Sequence, residues 1–371
     1  MTVAGDAAPA PAGWDGSAAD AYRMDSHKLL WHLDRVVPWL RGERIAPLYI
    51  DMGITQTCTI ACRYCYYSVP EHRSAAMIPT ERLTAFLAEA ARIGVKAVGF
   101  LGDGEPLLHP GAGAAVVAGA AAGLDMALSS NGVVLPREDL AEFLAALTWI
   151  RFNVAATPAS YVGVMQTDAA VFDRVVGNVR RCVETKRRHG LRTTIGLQMV
   201  LIEESAADIV PFARLGRELG VDYAVIKQCS ESHGRALGLG DRDCGRFAPL
   251  LREAEALADG GYRVIVKWRK LGNRGVRGYD RCYGCEFLPQ ISGDGGVYPC
   301  GNLFGREEFC AGSIVGESFA EIVAGERYRA VMERVRTEVD VHRECGVNCR
   351  QNEINEFLWR LRHPPEHVNF I

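Results

Sequence analysis

Three cysteines, Cys58, Cys62 and Cys65, stand at C-x3-C-x2-C spacing just after the apolar run Pro47–Gly53. Thiolates this close in sequence can share one metal centre. A structural zinc site closes its tetrahedron with four protein ligands, whereas three thiolates leave one position open. An iron-sulfur cluster held by three thiolates keeps one iron free for a substrate or cofactor. A second group lies far downstream: Cys282-x2-Cys285-x14-Cys300, then Cys310, then Cys345-x3-Cys349. A zinc knuckle and a second iron-sulfur cluster would use these ligands equally well. Between the two groups runs Gly102-Asp103-Gly104-Glu105. Its glycines let backbone approach a ligand closely, and Glu105 offers an anionic acceptor for an ammonium group.

These residues need elements to carry them. Residues 1–25 read as a disordered tail, and the pattern Leu29-Leu30, Leu33, Val36-Val37, Leu40 predicts a helical lead-in over 26–46. Strands are then expected at 47–53, 95–101, 124–129, 149–156, 193–201 and 223–228. Helices are expected between them at Thr80–Ile93, 111–122, Leu135–Leu147, Ala169–His189 and Ala206–Leu219. Such alternation predicts an α/β fold, a parallel sheet wrapped by helices over 47–235, with at most six strand-helix units. Chemistry in parallel barrels gathers at the carboxyl ends of the strands. Glu105 follows the second expected strand, Ser130-Asn131-Gly132 the third, and Cys229 the sixth; Asn153 and Gln198 lie on the fourth and fifth. Residues 236–278 read as a linker with extra elements, 279–355 as a small second domain, and 356–371 as a tail. Within the second domain Ile291–Cys300 predicts a hairpin around Asp294-Gly295, ending on a cysteine.

Composition removes several function classes. The 371 residues carry 42 basic and 45 acidic side chains, a net charge of -3 that gives the whole molecule no reason to seek nucleic acid. No apolar run is long enough to span a membrane. Twelve cysteines without a signal peptide suit metal ligation in a reducing cytoplasm better than a secreted disulfide scaffold.

The loop Cys58–Cys65 resembles the cluster-binding loop of radical S-adenosylmethionine (SAM) enzymes. The resemblance implies that Cys58, Cys62 and Cys65 hold a 4Fe-4S cluster whose fourth iron chelates SAM, and that reductive cleavage of SAM yields a 5'-deoxyadenosyl radical. It implies a partial (β/α)6 TIM-like barrel and a flavodoxin- or ferredoxin-type reductant. Tyr64 takes the position placed beside the adenine. Gly102-Asp103-Gly104-Glu105 is similar to the family's Gly-Gly-Glu motif for the SAM amino group, with Asp103 in place of a glycine. Ser130 and Asn131 would lie beside the cofactor, and Asn153 and Gln198 near its ribose or carboxylate. The segment from Ile291 to Val331 resembles the twitch or SPASM extension of such enzymes. One auxiliary 4Fe-4S cluster is the economical expectation, on Cys282, Cys300, Cys345 and Cys349 with Cys285 competing.

Twitch enzymes act on aminocyclitols and aminoglycoside sugars, so the resemblance implies a carbohydrate or aminocyclitol substrate in antibiotic biosynthesis. If the Cys229 thiol reaches the substrate radical and returns a hydrogen atom, the outcome is an epimer, the outcome expected here. If it does not, loss of a proton and an electron gives a ketone, with the auxiliary cluster as acceptor. A peptide-modifying enzyme is a further alternative, for which the roughly 45 residues before the first strand look short of a leader-binding domain. A zinc-stabilised binding protein is the alternative outside catalysis. His233, Arg235, Lys267, Arg269 and Arg274 are candidates to grip substrate hydroxyls.

Overall fold

The computed structural model describes residues 27–65, 74–154, 157–230, 237, 244–272 and 275–370. Seven parallel strands form its centre: β1 (Tyr49–Met52), β2 (Ala97–Phe100), β3 (Asp125–Ser130), β4 (Leu147–Asn153), β5 (Thr194–Leu201), β6 (Tyr223–Gln228) and β7 (Arg263–Val266). Then β8 (Gln290–Ile291) pairs parallel with β1, and β9 (Gly296–Tyr298) and β10 (Gly312–Ser313) extend it antiparallel. One sheet of ten strands results, in the order β10-β9-β8-β1-β2-β3-β4-β5-β6-β7.

Helices cover one face of the parallel strands. The covering helices are α2 (Thr80–Ile93), α3 (Ala112–Ala121), α4 (Leu140–Ala145), α5 (Pro158–Met165), α6 (Ala169–His189), α7 (Ile209–Leu219) and α8 (Ala248–Glu255), whereas α1 (Leu33–Leu40) packs in a separate apolar cluster and the short α9 (Trp268–Gly272) follows β7. The carboxyl-terminal part adds α10 (Phe319–Ala324), α11 (Glu326–Glu338) and α12 (Asn352–Arg362).

Alternation along the strands divides the sheet into two faces. Ile50 and Met52, Val98 and Phe100, Met126 and Leu128, Ile150 and Phe152, Leu197 and Met199, and Ala224 and Ile226 join the main apolar core. The intervening positions face the other way and supply Asp51, Ser129, Arg151, Asn153, Gln198 and Lys227 to an internal chamber. The bland alternation of these strands therefore sets the chamber's chemistry. Gly99 belongs to that inner face, where a Cβ would stand 2.5 Å from the Tyr49 hydroxyl.

The α/β class with a mostly parallel sheet and a small carboxyl-terminal part agrees with expectation. Three details differ. There are seven parallel strands before the hairpin rather than six, because the short β7 lies inside the stretch 236–278 expected as a linker. Helix α4 starts at Leu140 instead of Leu135: Pro136 disfavours helix for the residue before it, and the Asp139 carboxylate caps the N–H groups of Ala141 and Glu142. The stretch expected as a tail from 356 begins inside α12, whose Leu358 is buried in a second apolar cluster with Trp39, Tyr283 and Phe287.

Candidate active site

The three early cysteines lie on the loop that leaves β1. Helix α5 pins this loop, through a hydrogen bond from the Arg63 N–H to the Val164 carbonyl (2.9 Å) and through Met165. The Met165 sulfur lies 3.8 Å from the Cys62 sulfur and 3.3 Å from the Tyr64 hydroxyl. Cys58 is exposed, and Cys62 and Cys65 are half-buried. Burial pushes the Cys62 thiol up, and the neighbouring Cys65 and Cys58 sulfurs push it further; burial also raises Cys58. Crowded thiols of this kind ionise when a metal centre supplies positive charge. Among the described residues no three His, Cys, Asp or Glu side chains close on a single ion. A cube takes one thiolate per iron, so separated thiols on a short loop suit it, and the donor set fits a 4Fe-4S cluster.

Glu105 meets this loop from the end of β2. The Glu105 N–H donates to the Thr57 carbonyl (2.8 Å), and Gly104, at φ +77°, comes so close to Thr55 that a Cβ would stand 2.2 Å from its carbonyl oxygen. The Glu105 carboxylate is 2% exposed. It accepts hydrogen bonds from the Leu107 N–H (3.1 Å), the Ser130 hydroxyl (2.8 Å) and the Asn131 N–H (2.7 Å). Burial pushes its pKa up to about 7 against the pull of those donors. Asn131 also reaches the cysteine loop, its Nδ2 donating to Thr59 Oγ1 (3.2 Å) and lying 3.7 Å from the Cys58 sulfur. Glu105, Ser130, Asn131 and Cys58 thus form one connected group.

Asp103 behaves differently from its glycine neighbours. Both of its oxygens accept from the N–H of Gly293 in the β8–β9 turn, at 2.9 and 3.1 Å, so it ties the β2 loop to the carboxyl-terminal hairpin. Burial raises its pKa to about 6, opposed by the Gly293 N–H.

Two adjoining cavities contain the remaining residues. The smaller, about 280 Å³, is lined by Cys58, Cys62, Cys65, Glu105 and Asn131. The larger, about 330 Å³, is lined by Arg151, Gln198, Lys227, Cys282, Cys300, Cys345 and Cys349 among others. Tyr64, Cys65, Gly102 and Asn153 line both, which makes them compartments of one chamber. Gln198 Nε2 donates to Asn153 Oδ1 (2.5 Å), while Gln198 Oε1 is buried with no hydrogen-bond partner.

Cys282, Cys300, Cys345 and Cys349 gather at the far end. Burial raises Cys300 and Cys349, and both feel the Cys282 sulfur most among their neighbours; burial likewise pushes Cys345 up to about 12. Cys282 itself is held down by the Cys285 thiol and by Asn355, whose Nδ2 lies 3.4 Å from its sulfur. Cys285 is fully buried and does not line the chamber. Four converging thiols on one wall fit a second cube, with Cys285 supporting Cys282 from behind. Cys310 is turned away, its sulfur 3.4 Å from the Gly312 carbonyl.

Cys229 follows β6 as expected, yet it lines neither cavity; its sulfur lies 3.5 Å from the Ser230 carbonyl and 3.9 Å from that of Tyr64. Of the surface candidates, Arg269 is paired with Glu356 (3.0 Å) and Glu353, and Lys267 is buried, while His233, Arg235 and Arg274 lie outside the described residues. Sequence reasoning missed Arg151, Lys227 and Arg350. For Arg151 and Lys227 the available signal was a charged residue at an inward position of a parallel strand that otherwise reads as apolar; Arg350, directly after Cys349, lies on no strand and had no such signal.

A model of the radical SAM superfamily matches residues 52–216, and a model of the SPASM iron-sulfur cluster-binding domain matches residues 282–350. The tungsten-containing aldehyde ferredoxin oxidoreductase cofactor-modifying protein of Pyrococcus furiosus is 24% identical over 301 residues, 76% of this chain and 82% of that protein. The PqqA peptide cyclase of Rhodopseudomonas palustris is 32% identical over 131 residues, 35% of this chain and 32% of its own length. Among solved structures, Streptococcus suis SuiB bound to S-adenosylmethionine is similar in fold, with a TM-score of 0.63 and 16% identity, over 83% of this chain and 72% of SuiB.

Proposed function

This chain belongs to the radical SAM superfamily and carries a SPASM iron-sulfur domain, and from that premise we propose how its residues divide the work. SAM, a 4Fe-4S cluster and auxiliary iron-sulfur chemistry are its cofactors, and together they supply one-electron removal of a hydrogen atom from a C–H bond. Cys58, Cys62 and Cys65 hold the SAM-binding cluster. Glu105 receives the SAM ammonium, Ser130 and Asn131 fix that carboxylate, and Asn153 with Gln198 faces the rest of the cofactor. Cys282, Cys300, Cys345 and Cys349 hold an auxiliary cluster, and a flavodoxin- or ferredoxin-type protein is the reductant.

The observation that carries this reading is a single chamber with three thiols at one end and four at the other. Substrate bound between them lies within one enclosed space shared by both metal-binding walls. Inversion at carbon needs a hydrogen donor inside that space, and Cys229 does not line it. We therefore favour oxidation: the substrate carbon would give a hydrogen atom to the 5'-deoxyadenosyl radical that SAM supplies, then a proton to solvent and an electron to the auxiliary cluster that Cys282, Cys300, Cys345 and Cys349 would hold, and the product is two hydrogens lighter.

An alcohol of a sugar remains a substrate for this chemistry. A peptide is the second reading, favoured by the match to a peptide cyclase.

Anaerobic reconstitution tests the assignment. Wild-type protein is expected to hold about eight irons as two cubes and to cleave SAM under strong reductant. Replacing Cys345 and Cys349 together by Ala is expected to leave about four irons and to abolish product. Retention of all the iron would remove the auxiliary site from these residues. Product of unchanged mass would replace oxidation by inversion.

A further inference from the structure

We infer that Asp103 is a positioning residue: by holding the β8–β9 turn against the loop that carries Glu105, it makes SAM affinity depend on the seating of the carboxyl-terminal hairpin. The inference rests on the proposed function in taking Glu105 as the group that receives the SAM ammonium.

Backbone meets backbone at this junction. A Cβ on Gly102 would overlap the Gly53 backbone, one on Gly104 the Thr55 carbonyl, and one on Gly53 the Asp103 carboxylate; one on Gly293 would stand 2.5 Å from the Thr55 carbonyl carbon. The loops leaving β1 and β2 and the β8–β9 turn are therefore in close contact, an approach that glycine permits at these four positions. Into the junction Asp103, 4% exposed, places its carboxylate, and both oxygens accept from the Gly293 N–H, at 2.9 and 3.1 Å. Gln56, on the loop after β1, is the side-chain donor acting on it. A charge-assisted bond in such a buried place is stronger than a neutral one, and its loss would leave a buried N–H unsatisfied.

Both sides of this bond lead to residues assigned to cofactors. On one side only Gly104 separates Asp103 from Glu105, whose carboxylate is fixed by Ser130 and Asn131. On the other, the chain runs from Gly293 through β9 to Cys300, a proposed auxiliary-cluster ligand. The turn is also held where it joins the barrel: the Gly53 N–H donates to the Ile291 carbonyl (2.8 Å), and the Ser292 N–H donates to the Gly296 carbonyl (2.9 Å).

Coupling between two sites needs an element with two arrangements that both sites bias. Here that element is the β8–β9 turn, seated with the Gly293 N–H bonded to Asp103 or withdrawn with the bond open. Such coupling is reciprocal: a seated hairpin favours SAM at Glu105, and SAM at Glu105 favours the seated hairpin. A glycine in place of Asp103 would give the turn no such hold.

The experiment uses anaerobically reconstituted enzyme at a pH above the range in which Asp103 and Glu105 titrate, with iron counted in every variant and SAM affinity read by calorimetry. Asp103→Ala is expected to weaken SAM at least about fivefold, as loss of a buried hydrogen bond does, with the SAM-binding cluster retained. Asp103→Asn keeps an oxygen for the Gly293 N–H and is expected to bind within about threefold of wild type. Asp103→Ala combined with Gly293→Ala is expected to bind within about twofold of Gly293→Ala alone, since both open one contact. Hydrogen exchange gives a reading that needs no variant, so the inference stays testable if Asp103→Ala does not fold: saturating SAM is expected to slow the Gly293 amide of wild-type holoenzyme at least about threefold. Full SAM affinity in Asp103→Ala overturns the inference, as does Gly293 exchange indifferent to SAM. Losses that multiply in the double variant overturn it too, by giving the two residues separate effects. Equal weakening by Asp103→Asn and Asp103→Ala also overturns it, by making the Asp103 charge a direct partner of SAM. Wild type that binds no SAM, or Glu105→Gln that binds it as wild type does, fails the proposed function and this inference with it. Weakened binding by Glu105→Gln beside an indifferent Asp103 fails this inference alone.

Discussion

Glu105 shows how much one buried carboxylate is asked to do. Its pKa is raised from 4.5 to about 7 by burial, so in SAM-free protein it is protonated below that range and cannot pair with an ammonium. SAM affinity is expected to increase as pH rises through 7 and then to level off, with proton release on binding below 7, measurable by calorimetry in buffers of different ionisation enthalpy. The stability sign follows the same group. Its contribution is fully present below 4.5 and is lost as pH rises through 7, because the folded chain holds the proton longer than the unfolded one. Glu105→Gln is expected to flatten the pH profile and weaken SAM by roughly ten- to a hundredfold, the worth of a charge-assisted hydrogen bond. For Cys229→Ala, product mass and rate are expected to match wild type; a fall in product with release of a different isomer would put the thiol back into the reaction. At this scale the early thiols and Glu105 were legible because spacing within a short loop carries their meaning. Arg151 and Lys227, 76 residues apart in the chain by their numbers, mean little until the barrel sets them on the same inner face.

Elements were legible where their periodicity was uninterrupted. Helix α2 spans the expected Thr80–Ile93 and ends on Gly94 at φ +96°, a left-handed cap that glycine adopts without strain. Strand β7 was not legible, since four residues, Arg263–Val266, leave no alternation to detect. The Asp103–Gly293 contact was invisible as well, because a backbone N–H has no signature in sequence. Two predictions belong here. A Cβ on Gly293 would stand 2.5 Å from the Thr55 carbonyl carbon and 2.7 Å from its oxygen, so Gly293→Ala must push the hairpin away from β1. Iron retention is expected to fall towards half in that variant while SAM-dependent absorbance changes persist; full iron retention would show the hairpin's seat to be dispensable. Leu358→Ala removes a fully buried side chain from the cluster of Trp39, Tyr283 and Phe287. It is expected to cost about 2–4 kcal/mol, read from urea unfolding, and a loss under 1 kcal/mol would mean α12 is loosely seated.

For the whole molecule, composition and organisation point in opposite directions. A net charge of -3 sums over every residue and does not say which ones line the chamber, which is why charge counting excluded nucleic acid but said nothing useful about the substrate. The carboxyl-terminal cysteines read as a separate module in sequence, yet the hairpin that leads to Cys300 continues the barrel's own sheet through β8 and β1. That pairing bears on biogenesis. Residues 51 and 52 meet 290 and 291, so β1 has one naked edge while the intervening chain is still being made. A nascent barrel in that state is open to self-association through the uncovered strand. Chains truncated before Gln290 are expected to sediment as aggregates, whereas the full-length chain seals its own seam as its last third emerges.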